Sequence, residues 1–246
     1  ISQSNTSFGE ALGQDIITAT LNRPFTSDVI VNIGANVAGT AKPAVDFTMQ
    51  STITIPAGQL TGTATLTAIQ DELVENDETI TIDVLSVVNA VPYGNLHLTS
   101  TIIDDDVATL RIATSFNGYE GVRNGAFRIF TDKRIDRNVT VNVSVNGTAA
   151  AGTDYTSIPV TFTLTANTDS LIVPVIVQND AVSETDESVI LTLASTDYPK
   201  ANIAPSPEMT ATVIIYEKPY VTLSQSTAVF SENGGQNTIT ATLSRT

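Results

Sequence analysis

The sequence holds no cysteine and no tryptophan, a single histidine (His97), and only 11 Lys and Arg against 26 Asp and Glu. Without cysteine there is no disulfide framework, thiolate metal site or thiol nucleophile. Softer transition metals, which select sulfur or imidazole, find almost nothing to bind. The missing tryptophan and an aromatic content of 6% leave no stacking platform for a sugar, so paired carboxylates do not read as a glycosidase site. The scarcity of cations gives a net charge of −15, which repels nucleic acid and anionic membrane surfaces. No apolar run reaches bilayer-spanning length, so no membrane insertion is expected, and neither a signal peptide nor an initiator Met opens the chain. An internal piece of a longer protein is the expectation. Hydrophobic residues still make up 41%, too many for a disordered acidic tail.

What the sequence does hold is Thr, Val and Ile in alternation with polar residues. In Val139-Thr140-Val141-Asn142-Val143-Ser144-Val145 the valines fall on one face and the polar side chains on the other, the period of two of a half-buried strand. Similar segments recur at Ile17–Leu21, Val29–Ile33, Ile53–Ile55, Phe127–Phe130, Val160–Leu164 and Val189–Leu193, separated by Gly, Asn, Asp and Pro clusters. No stretch has helical periodicity, so the expected class is all-β.

The chain also repeats itself. Phe8, Glu10, Ile17, Leu21 and Arg23 recur 222 positions later as Phe230, Glu232, Ile239, Leu243 and Arg245, with a weaker copy midway at Glu120, Phe127 and Ile129. Gln70–Leu85 matches Asn179–Ala194 at a shift of 109, and Asp46-Phe47 matches Asp154-Tyr155 at a shift of 108. A period near 110 residues is too long for a solenoid turn and suits an independently folding sandwich. The expected organisation is a first repeat over 1–106 with its opening strand clipped, a second over 107–218, and the start of a third over 219–246. Each complete repeat is expected to be an immunoglobulin-like Greek-key sandwich of about seven strands. The two strands of the third cannot bury a core alone, which again points to a longer parent chain.

Acidic residues occupy corresponding places in the repeats: Glu10, Asp46, Asp71, Glu75, Glu78 and Asp104-Asp105-Asp106 in the first, and Glu120, Asp154, Asp180, Glu184 and Glu187 in the second. In a Greek-key sandwich such loops can converge at one end. Carboxylates brought that close cannot all stay ionised without a counter-ion. Ca²⁺ accepts 6–8 oxygens in flexible geometry, which loops from separate strands can supply. A lone acidic turn reads as solvated edge; the same pattern one period later favours a shared ion.

The elements Glu10-x-x-Gly13, Gly147–Tyr155 (GTAAAGTDY), Asn179–Glu187 (NDAVSETDE) and Ile102–Asp106 (IIDDD) resemble the Calx-beta family, which includes regulatory domains of sodium–calcium exchangers and repeats of large surface proteins. The resemblance spans both repeats and the stub. It implies calcium ligands at Glu10, Asp46, Asp71, Glu75, Glu78, Asp104, Asp105 and Asp106, with the Leu73 carbonyl as a further candidate, and in the second repeat at Glu120, Asp154, Asp180, Glu184 and Glu187. Gln70 and Asn179 stand where the family often has acids, and the second repeat closes on Ile215-Tyr216-Glu217-Lys218 in place of Ile103-Asp104-Asp105-Asp106. Two carboxylates are lost there and a lysine is gained, so weaker binding, fewer ions or none is expected in the second repeat.

The expected function is a non-enzymatic, calcium-binding structural or adhesion module of a large extracellular or cell-surface protein. Its partners would be neighbouring repeats of the same chain and a cell-surface protein or glycan. Because the linker Asp104–Asp106 runs into the strand starting at Val107, calcium there would rigidify the junction. The alternatives are regulatory sensor domains of a membrane transporter, or metal-free spacers. Catalysis finds little support: a Ser-His-Asp arrangement would have to use His97, and no nucleophile elbow surrounds any serine.

Overall fold

Alternation of buried and exposed residues makes strands throughout, and the described residues contain no helix. The structure is a computed structural model describing residues 1–180, 182, 184–226, 228–229 and 231–244. Phe230 and Arg245, two members of the third repeat's match, lie outside the described residues, as do Ala181 and Ser183 of the second acidic turn. The chain divides into two compact units: Ile1–Ala108 with Lys133–Arg137, and Thr109–Asp132 with Asn138–Thr246.

The first unit holds β1 (Ser2–Gln3), β2 (Ser7–Gly9), β3 (Gln14–Thr20), β4 (Val29–Ala35), β5 (Phe47–Met49), β6 (Thr52–Ile55), β7 (Thr61–Ala68), β8 (Glu78–Val88) and β9 (His97–Ile103). They form one sheet in the order β1-β3-β7-β5 and a second in the order β2-β9-β8-β4-β6. Between them lies a dry core that includes Ile17, Ile33, Phe47, Ile53, Leu66 and Ile82. Val74 and Ile135 add a satellite contact: both are buried, and Val74 exchanges backbone bonds with Arg134 and Asp136. That pairing of two apolar side chains draws Lys133–Arg137 into the first unit, although by sequence these residues belong to the second repeat.

The second unit uses β10 (Ala108–Phe116), β11 (Gly118–Tyr119), β12 (Gly125–Thr131), β13 (Val139–Gly147), β14 (Thr161–Leu164), β15 (Ser170–Val175), β16 (Glu187–Thr196), β17 (Ala201–Ile203) and β18 (Thr210–Tyr216). Its sheets run β15-β12-β10-β17 and β11-β18-β16-β13-β14; the five-stranded sheet repeats that of the first unit, while the four-stranded one carries β17 beside its opening strand where the first unit carries β5 at the other edge. Finally, among the described residues β19 (Val221–Gln225) and β20 (Ile239–Leu243) pair only with each other, and all their residues are exposed.

Among the described residues each sandwich has nine strand segments, some of them only two or three residues long. The opening strand is split between the sheets: β1 pairs with β3 antiparallel, then β2 crosses to lie parallel to β9. In the first unit the crossing is pinned by Asp15, which is fully buried. Its carboxylate accepts hydrogen bonds from Ser4 N and Ser4 Oγ at 3.0 Å, Asn5 N at 2.9 Å and Ser100 Oγ at 2.8 Å. A buried charge persists only with such partners.

Candidate metal centre

Loops at one end of the first unit carry the predicted acids. The loop before β5 is a tight turn in which Asp46 N donates to Lys42 O at 2.9 Å while the Asp46 carboxylate accepts from Lys42 N at 2.5 Å. Ala44 sits at its apex with φ 63°. The second unit repeats the turn, Asp154 taking Ala150 N at 2.5 Å, with Gly152 at φ +92° in the matching place. Each turn fixes its aspartate before any ion arrives.

Two carboxylate groups form in the first unit. Glu10, Asp104 and Asp106, all buried, bring oxygens within 4.8 Å of one another, and Asp46, Glu75 and Glu78 do the same. The turn after β7 ties the groups together. Asp71 N donates to Glu10 Oε1 at 3.0 Å, the Asp71 carboxylate accepts from Leu73 N at 2.7 Å, and Glu75 N donates to Asp104 Oδ2 at 2.8 Å. Asp71 also bears electrostatically on both Glu10 and Glu75. Asp105 stands apart, exposed, with Gln70 Nε2 donating to it at 3.5 Å. At Leu73 it is the N–H that is engaged, by Asp71.

Crowding leaves a proton signature. Burial, reinforced by neighbouring carboxylates, pushes Glu10, Glu75 and Glu78 up to about 7 from 4.5. One lysine moderates the first group: Lys133 Nζ donates to Asp106 Oδ1. The other oxygen, Asp106 Oδ2, is buried and has no hydrogen-bond partner.

In the second unit Asp154, Glu184 and Glu187 form the matching group, again with oxygens within 4.8 Å. Glu120 Oε1 accepts from Asp180 N at 2.6 Å, and Asp180 Oδ1 from Val182 N at 2.7 Å. Glu217 joins them, a residue that sequence reasoning left out of the ligand set. It faces Glu120, Glu184 and Glu187, and burial followed by these neighbours pushes it up to about 7; burial, then Asp154 and Glu184, push Glu187 up to about 7 as well. Glu187 Oε2 is a second buried oxygen without a partner. Lys218 Nζ lies 3.7 Å from Glu120 Oε1 and donates to Asn179. A lysine ammonium therefore covers the Glu120 half, as Lys133 does the equivalent half of the first unit.

His97 takes no part in either group. It is exposed on β9, with Nδ1 at 2.6 Å from Asp83 Oδ1, and that bond is the main cause holding Asp83 below its usual range.

The Calx-beta domain matches the chain twice, over residues 1–113 and 104–219. No curated protein matches it. Among solved structures, the chain is similar to the CBD12 tandem of CALX1.2 at 18% identity and a TM-score of 0.39, covering 87% of this chain and 99% of that one. The apo-form Calx CBD1 domain aligns at 22% identity and a TM-score of 0.40, covering 46% of this chain and 99% of that domain. The adhesin InvE of Yersinia pseudotuberculosis aligns at 14% identity and a TM-score of 0.37, with 87% of this chain and 56% of the adhesin covered.

Proposed function

The chain belongs to the Calx-beta family as two domains in tandem, and from that premise we propose that it is a calcium-binding structural module of a cell-surface or secreted protein. The observation that carries the reading is the convergence of six carboxylates from four separate segments of the first unit into two groups of mutually close oxygens. The donor set fits the ion. Every side-chain donor is a carboxylate oxygen, and oxygens up to 4.8 Å apart can share one cation at Ca–O distances of about 2.3–2.6 Å. Asp106 Oδ2, buried without a protein hydrogen-bond partner, gives the first group an acceptor open to a cation.

Within this reading Asp46, Glu75 and Glu78 hold the principal ion, with Asp71 beside them. The Glu10–Asp104–Asp106 group shares its charge between Lys133 and a second ion. In the second unit Asp154, Glu184, Glu187 and Glu217 hold an ion, while Lys218 neutralises Glu120. Bound calcium would tie the turn after β7 to the linker at Asp104–Asp106 and so stiffen the run into β10. At 100 times its dissociation constant an ion adds about 2.7 kcal/mol to stability. Millimolar calcium outside the cell fills sites of roughly 10⁻⁴–10⁻³ M to between about a half and nine-tenths.

Calorimetric titration of the full chain with Ca²⁺ tests the proposal, alongside an Asp46→Asn/Glu75→Gln variant. Saturable binding that the variant loses in part supports it. Equal heats for both proteins, or no binding and no change in Tm on adding chelator, would favour a metal-free spacer.

A further inference from the structure

The turn between β11 and β12 of the second unit builds a cleft that calcium binding does not use. Tyr119 N donates to Arg123 O at 2.8 Å, and Val122 N and Arg123 N both donate to Tyr119 O at 3.0 Å. This tight turn folds Arg123 back over Tyr119, its guanidinium carbon 4.9 Å from the ring centroid. Tyr216 packs against the same ring, with centroids 4.6 Å apart. The cation–π contact holds the guanidinium in place. Arg111, Arg128 and Arg137 each lie beside a carboxylate, whereas among the described residues none pairs with Arg123.

Tyr119, Val122, Arg123, Asn124, Val177 and Asn179 line the cleft, of about 220 Å³, a volume for one ring rather than for a drug-sized ligand. Its polar side chains present donors. Asn124 Oδ1 accepts from Val177 N at 3.0 Å and Asn179 Oδ1 accepts from Lys218 Nζ. Both amides are left with their NH₂ groups, and a guanidinium has no acceptor at all. Gly121, at φ +64°, leaves room for this, since a Cβ there would run into Asn179 Oδ1 and Lys218 Cε. Lys218 Nζ, 3.7 Å from Glu120 Oε1, offsets the nearest acid. The fold does not demand this arrangement. Where Tyr119 and Tyr216 pair β11 with β18, Gly9 and Ile103 pair β2 with β9, and Gly13 stands in the place of Arg123. The first unit's Leu12 and Gln70, which match Val122 and Asn179, are also open to solvent although a complete domain follows that unit.

We propose that this cleft binds the carboxylate-bearing ring of an acidic sugar. The guanidinium takes the carboxylate through its paired N–H groups. The two asparagine amides donate to ring and hydroxyl oxygens, and Val122 and Val177 cover a C–H face of the sugar. A neutral sugar leaves the guanidinium without its counter-charge, and a bare carboxylate leaves the amides and valines without partners.

The test titrates methyl glucuronide, methyl glucoside, acetate and the tripeptide Gly-Glu-Gly into the isotope-labelled full chain, following side-chain NMR signals. Chelator is present throughout, so that no calcium bridges the sugar to the acid group. Saturable shifts are expected at Arg123 Nε–H and at the Asn124 and Asn179 amides, with a Kd for the glucuronide on the order of 1 mM. The other three probes should bind at least about tenfold more weakly. Arg123→Lys keeps the charge but loses the fork, and should weaken the glucuronide at least about tenfold, with Tm reporting that the variant is folded. Equal affinity for glucuronide and glucoside, acetate as tight as the glucuronide, undiminished binding by the lysine variant, or no shift at about 50 mM sugar overturns the proposal. So does tighter binding of the tripeptide, which would assign the guanidinium to an acidic protein partner.

Discussion

Acidifying the calcium-free chain from about pH 8 to about pH 5 protonates the crowded glutamates that calcium would otherwise neutralise. Glu10, Glu75 and Glu78 in the first unit and Glu187 and Glu217 in the second bind protons at about 7 when folded, against 4.5 for the ordinary side chain. Between those values the folded chain holds more protons than the unfolded one. Stability therefore falls as pH rises through the window, and the full penalty is present above it. Glu10 is only 6% exposed, so its term approaches the unscreened limit of about 3 kcal/mol. The others share neighbours with it or with one another, and their terms do not add in full. At 4–8 °C per kcal/mol for a domain of this size, Tm in chelator should rise by on the order of 10 °C between pH 8 and pH 5. Asp83 and Asp132, both held below their usual range, lose their contribution only at more acid pH and leave the window clean. Circular-dichroism melts with chelator and with saturating calcium measure this directly. Calcium should abolish or reverse the slope, because it holds the carboxylates ionised. A Tm that falls steadily from pH 7 to pH 5 in chelator would refute the reasoning.

Three further outcomes are expected. Asp15→Ala strands Ser4 N, Asn5 N and Ser100 Oγ without their acceptor, and urea denaturation should show a loss of about 3–5 kcal/mol in the first unit; a loss below about 1 kcal/mol would mean water replaces the carboxylate. Ala44→Gly relieves a left-handed apex at φ 63° that the second unit already gives to Gly152. It should stabilise the first unit by about 1 kcal/mol in the same assay, and no gain would show the turn to be unstrained. Lys218→Ala removes the ammonium near Glu120 and should raise calcium affinity in the second unit by about tenfold, read by calorimetry; unchanged affinity would place the lysine outside the ion's field.

The class and the repeat were legible because period-two alternation and a shift near 110 survive in many segments at once. The splitting of the opening strand was not, since it depends on one buried contact, yet the signal was present. Asp15 shares the inward phase of β3 with Ile17 and Ala19, and a charge on that phase marks a structural acid. Glu10, Asp46, Asp71, Glu75 and Glu78 could be picked out because they recur one period on as Glu120, Asp154, Asp180, Glu184 and Glu187, whereas Asp104 and Asp106 have no acidic counterpart and rest on the family resemblance. Glu217 was passed over because the closing segment reads as a loss of acids, although it is the one carboxylate retained there. Lys133 had no sequence signal at all. It reaches Asp106 from a segment 27 residues further along, drawn in by the burial of Ile135 against Val74 rather than by any acidic motif.

The central claim is that distant loops of one unit share a divalent ion, and a crystal structure of the chain grown in calcium tests it most directly. The account predicts an anomalous peak within about 2.3–2.6 Å of carboxylate oxygens from Asp46, Glu75 and Glu78, with Lys218 still beside Glu120 in the second unit. Ordered water or protonated carboxylate pairs at that position, with calcium at saturating concentration, would contradict it.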